Sequence, residues 1–146
     1  MVEVTVKIEG LREVEEALAQ AGPKLAKRAM RKALKAGGDV FLQRAKERAP
    51  ILKKATPQRQ PGELRDAITE VVTLSPKEES GRARVALKHD KSKGIQSPGV
   101  YGLFVEFGSV HNTAQPYMRP GYDAGKQEAE RVFTEEIKNG VESLKS

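Results

Sequence analysis

Few residues in this chain are of a kind that could do chemistry. Its two histidines, His89 and His111, lie in or beside loops. A Ser-His-Asp relay can be drawn from Ser109, His111 and Asp123, but neither a strained nucleophile turn nor an oxyanion glycine cluster accompanies it. His89, Asp90 and His111 could donate to a metal, yet their spacing fits no ligand pattern, and the absence of cysteine excludes a thiolate site. Glycine-rich phosphate loops are missing too, so neither a cofactor nor catalysis is expected. Glu106 is different, because it sits inside the apolar run Tyr101, Leu103, Phe104, Val105 and Phe107. A buried, unpaired carboxylate costs several kcal/mol, roughly, or takes up a proton. Arg119 is the candidate partner, and an ion pair between them would tie the two ends of this stretch together. The alternative puts Glu106 on the wet edge of the run and Arg119 on a surface turn.

The stretch Val100 to Tyr122 that holds this pair is where the fold is pinned. The chain has no Trp and only three Tyr and four Phe, and Tyr101, Phe104, Phe107, Tyr117 and Tyr122 all fall here. Gly108 ends the apolar run, and Gln115-Pro116 and Arg119-Pro120 punctuate the segment after it. The reading is a buried element, a turn, and an extended link held by two prolines.

The elements around it emerge from periodicity. Val2, Val4, Val6 and Ile8 alternate with Glu3, Thr5, Lys7 and Glu9, the pattern of a strand with one dry face. After Gly10, Leu11, Val14, Ala17 and Leu18 recur at helical spacing, with acids near the start, and this first helix ends at Gly22-Pro23. A second helix runs from Pro23 to Ala49-Pro50, with Leu25, Ala29, Met30, Ala33, Leu34, Gly37, Phe41 and Ala45 on its apolar face. Gly37-Gly38 weakens its middle by about 1 kcal/mol per glycine and also lets another backbone come close, so an element is expected to cross here; a simple kink is the alternative. Leu64 to Ile68 reads as a helical turn. Val71, Val72 and Leu74, then Ala83, Val85 and Leu87, read as a hairpin with a charged connector. Loops at about 51–62 and 89–99 carry no periodicity and are read as flexible. A closing helix comes last, with Tyr122, Ala129, Val132, Phe133, Ile137, Val141 and Leu144 on one face and acids on the other. The fold class is α+β, a small, mostly antiparallel sheet packed against a long basic helix and an acidic C-terminal helix, in one domain over residues 1–146.

At 146 residues, 38% hydrophobic and 32% charged, the chain can bury a modest core. No apolar run nears the roughly 20 residues that span a bilayer, and the N-terminus lacks the apolar block of a signal peptide. The net charge of +6 is unevenly placed. From Pro23 to Gln60 twelve basic residues face two acids, while the rest of the chain carries fourteen against eighteen. Lys24, Lys27, Arg28, Arg31, Lys32 and Lys35 on the helix, with Lys53, Lys54 and Arg59 on the loop, are the candidate interface or DNA-facing residues. The segment's one aromatic, Phe41, is on the apolar face, so no base-stacking platform accompanies the charge. A basic helix can instead meet a neighbour's acidic helix, and such head-to-tail contacts close into rings when the rotation permits.

The run Tyr101 to Val105, continued by Glu106-Phe107-Gly108-Ser109 and then Gln115-Pro116-Tyr117-Met118-Arg119-Pro120, resembles the signature of the gene-product-ten-like phage family. These are small proteins of long-tailed bacteriophages and prophages, described as tail components, tail completion proteins or head-to-tail joining proteins. Further matches are Glu9-Gly10-Leu11, Lys46-Glu47-Arg48-Ala49-Pro50 and Gly62-Glu63-Leu64-Arg65. Pro61, Ala67 and Ser109 depart from the family's usual Thr, Ser and Thr, keeping size and turn character. The resemblance implies a non-enzymatic structural virion protein that joins head to tail or completes the tail end as a ring, or docked on one, at the neck. Its implied partners are copies of itself and other neck and tail proteins, with DNA within reach, no membrane, and monomer in isolation left open. It would be found in the host cytoplasm during assembly and then in the virion. The second reading is a small, basic, non-specific DNA-binding protein.

Overall fold

The structure, a computed structural model, describes residues 16, 19–75 and 80–145. The strand expected over Val2–Ile8, most of the first helix and the middle of the hairpin connector lie outside these residues. Residues 19–21 are helical and stop at Gly22.

Helix α1 spans Pro23–Arg48, 26 residues, as the apolar spacing implies. Pro23 opens it where a missing N–H costs nothing, and Ala49 turns extended because the residue before Pro50 is pushed out of helical geometry. A short helix α2, Glu63–Ala67, leads into strand β1, Ile68–Ser75, which pairs antiparallel with β2, Ser80–Leu87. A 3-10 turn over Lys91–Gln96 precedes helix α3, Pro98–Phe107, and helix α4, Met118–Lys145, closes the chain.

α1 and α4 lie antiparallel. Ala45 meets Gly121, Gly37 meets the Ala129 carbonyl and Phe133, and Ala29 meets Gly140. Buried Ala33, Ala45 and Ala129 let the helices approach closely, and Phe41 stacks on Tyr122 with centroids 5.3 Å apart. The hairpin covers another side of α1. Its register pairs Ile68 with Leu87, Glu70 with Val85 and Val72 with Ala83, so these residues share one face. Gly38 is where that face touches α1, since a side chain there would meet the Glu70 carboxyl and come within 3.2 Å of the Ala83 Cβ. The double glycine is therefore a crossing point on both sides within an unbroken helix. Burying Ile68, Val85 and Leu87 beneath the hairpin contributes about 1.5–3 kcal/mol each. Among the described residues the fold is α+β, two antiparallel strands against long helices.

Three sequence readings need correction. α4 begins at Met118, ahead of Tyr122, so Pro120 lies in its first turn and not in the extended link. α3 is a helix with only one buried face, on Tyr101, Gly102 and Glu106. Finally, the basic and acidic helices pack on each other inside one chain, where Arg44 pairs with Glu128 at 2.8 Å and Lys32 stands 4.0 Å from Glu136. Part of the complementarity reserved for a neighbour is thus satisfied internally.

Candidate functional site

The segment from Glu106 to Pro120 resolves into a clasp built on one carboxylate. Glu106 is 2% exposed. Its Oε2 accepts the backbone N–H groups of Tyr117 at 2.7 Å and Met118 at 2.9 Å, and its Oε1 accepts that of Arg119 at 3.1 Å. These are the donors that the start of α4 leaves without intrahelical partners. Pro120 has none to donate, and the Gly121 N–H returns to the Tyr117 carbonyl at 3.1 Å, so the first turn is fully accounted for. The positive end of the helix dipole adds to the attraction.

The expected Glu106 to Arg119 ion pair is therefore not formed. The carboxylate is taken by backbone donors, and the Arg119 guanidinium stacks on the Phe107 ring, 4.7 Å from its centroid. Gly108, Gln115 and Tyr117 serve the same clasp. Gly108 ends α3 with φ 79, a left-handed conformation that favours glycine, and a side chain there would press on the Ala114 nitrogen at 2.9 Å. Gln115 donates its backbone N–H to the Val105 carbonyl at 2.7 Å, drawing the link back along α3, with Pro116 exposed beside it. Tyr117 is 0% exposed and donates its hydroxyl to the Gly102 carbonyl at 3.0 Å. Burial, with the Glu106 carboxylate adding to it, pushes the Tyr117 phenol up.

Tyr101 is buried as expected, but Phe104 and Phe107 are 50% and 51% exposed, and Val110 is 95% exposed. The reading of these two phenylalanines as internal braces is corrected by helical geometry. Tyr101, Gly102, Val105 and Glu106 take the inner face of α3, which leaves positions 104 and 107, three apart, together on the outer one.

The two loops meet each other over Tyr101. The Arg59 Nε donates to Gln96 Oε1 at 2.9 Å while its guanidinium lies over the Tyr101 ring at 4.1 Å, so this candidate interface residue is already engaged. Lys93 pairs with Glu63 at 3.1 Å; the Gln60 backbone N–H, and then Lys93, hold Glu63 below the usual carboxylate range. Lys53 and Lys54 stand exposed, as do Lys24, Lys27, Arg28, Arg31, Lys32 and Lys35.

Nothing brings the residues first considered for chemistry together. Ser109 accepts the His111 backbone N–H, not its ring, and Asp123 is exposed on α4. His89 contacts Ser97 Oγ at 3.1 Å, while Asp90 is tied to Ser92. Among the described residues no cluster of acids and histidines is arranged to hold a metal ion, and no helix is long and apolar enough to cross a membrane.

Glu70 is the acid that sequence reasoning missed. Its carboxyl is buried against Gly38, with neither oxygen hydrogen-bonded to a donor. Burial, and then the neighbouring Asp39 carboxylate, push it up to about 8, with Lys35 at 4.0 Å offsetting only part. The alternation Ile68, Glu70, Val72, Leu74 was the available signal, since it places Glu70 on the core face.

A model of the HK97-gp10-like family, described as a bacteriophage HK97-gp10 tail component, matches residues 12–108. The chain belongs to this family. No curated protein and no solved structure matches it. A gp10-like tail component is a part of the virion, and the matched span takes in Glu106, Gly108 and both exposed phenylalanines. The clasp partners Tyr117 to Arg119 lie beyond its end.

Proposed function

We propose that this gp10-like protein is a non-enzymatic structural part of the phage neck, joining head to tail or completing the tail end by forming a ring or docking on one. Its parts are made in the host cytoplasm and come together there with copies of the same chain and with other neck and tail proteins. The observation that carries this reading is the uncovered outer face of α3. Phe104 and Phe107 leave apolar surface in water on a helix whose other face is fixed by the Glu106 clasp, and exposed Val110 follows in the turn after it. Exposed apolar patches on a rigid support are what interfaces use.

Negative-stain imaging of the purified protein, alone and mixed with neck proteins of the same phage, tests the proposal. Rings or partner-bound rings are expected. Free single copies under both conditions would overturn it. The second reading, a DNA-binding protein acting alone, has the basic surface of α1 on its side and predicts duplex binding by single copies with no ring formed.

A further inference from the structure

We propose that the N-terminal half of α1 is a contact surface for the phosphate backbone of duplex DNA, formed by Lys24, Lys27, Arg28 and Arg31. These residues recur at i, i+3, i+4 and i+7, which sets them on one helix face, and all are exposed. Among the described residues none of the four lies within ion-pair distance of a carboxylate. Farther along α1 the pattern changes. Lys32 faces Glu136, Lys35 faces Asp39, Arg44 faces Glu47 and Glu128, and Arg48 faces Glu47. From Lys32 onward most of the basic residues of α1, Lys46 excepted, thus have a carboxylate close by, while among the described residues the four before them have none within ion-pair distance.

The chemistry of this face selects the partner. Its apolar neighbour is Leu25, 41% exposed, and no aromatic residue stands among the four. A protein interface needs apolar or aromatic anchors at its centre, whereas a polyanion is held by charge alone. From Lys24 to Arg31 the helix rises about 10 Å, and duplex DNA offers a phosphate about every 3.4 Å along each strand. Without base-stacking groups the contact is blind to sequence. This surface is separate from the outer face of α3, so DNA contact stands or falls independently of ring formation.

The test is fluorescence anisotropy of the full chain titrated into a labelled 20-base-pair duplex at 50 and 200 mM salt. Four phosphate contacts give a log–log salt slope of about −3.6 and an affinity loss of about 100-fold across that range. The variant Lys24→Gln, Lys27→Gln, Arg28→Gln, Arg31→Gln should lose at least about tenfold at 50 mM, with a nearly flat slope and unchanged helical circular dichroism. A charge-matched control, Lys88→Gln, Lys91→Gln, Lys126→Gln, Lys138→Gln, should keep most of the wild-type slope. The proposal is overturned if the wild type shows no salt-sensitive binding, if the two variants lose affinity equally, or if labelled polyglutamate binds as tightly as the duplex, which would make this face a contact for an acidic protein.

Discussion

Glu106 organises the C-terminal third of the molecule by supplying what the backbone lacks. Removing it leaves the Tyr117, Met118 and Arg119 N–H groups without their acceptor, so Glu106→Ala should destabilise the protein by about 2–4 kcal/mol in urea unfolding. Arg119→Ala should cost less than about 1 kcal/mol, because the guanidinium rests on an exposed ring and not on the carboxylate. Equal costs for the two substitutions would restore the ion-pair reading. Glu70 gives a prediction of the opposite kind. Its pKa rises from the ordinary 4.5 to about 8 on folding, so the native state keeps a proton that the unfolded chain releases between these values. The associated stability is present in full below 4.5 and is lost as pH rises through about 8. Burial raises the pKa most, the neighbouring Asp39 carboxylate adds to that, and Lys35 opposes both. The urea midpoint should therefore fall between pH 5 and pH 9, and Glu70→Gln, which mimics the protonated form, should flatten that fall and be more stable than wild type at pH 9. An unchanged pH profile in the variant would contradict the assignment.

At the scale of elements, α1 does most to position the rest. Its middle is thinned to glycine where α4 and the hairpin arrive, so Gly37→Val, forced against the Ala129 carbonyl and the Phe133 Cβ at 3.3 Å, should destabilise by about 2 kcal/mol despite relieving a poor helix former. Thermal unfolding monitored by circular dichroism measures this directly. Such elements were legible in the sequence for physical reasons. The 3.6-residue recurrence from Leu25 to Ala45 between two prolines could only be one long helix, and the alternation of Ala83, Val85 and Leu87 could only be a strand with one dry face. The partners of Glu106 were not legible, because backbone N–H groups carry no side-chain signature. The one available sign was Pro120, a residue suited to the first turn of a helix, which placed the start of α4 earlier than its apolar stripe did. Nor could composition say which face of α3 was wet, since a helix apolar on both sides reads as buried until its neighbours are known.

Over the whole molecule, folding sorts the charges and the apolar residues that sequence only counted. Part of the basic helix meets the acidic helix inside the chain, Lys24, Lys27, Arg28 and Arg31 at its start carry no ion pair among the described residues, and the outer face of α3 keeps its phenylalanines half-exposed. The assembly proposal rests on that last surface, held in place by the Glu106 clasp. Sedimentation velocity tests it most directly, run on the wild type and on Phe104→Ser, Phe107→Ser, each alone across a concentration series and mixed with the neck proteins of the same phage. We predict that the wild type sediments as a particle several times the 16.0 kDa chain mass in at least one of these settings. The double variant, with unchanged circular dichroism, should stay at the mass of one chain throughout. A wild type that remains a single chain in every mixture, or a variant that assembles as well as the wild type, would contradict the account.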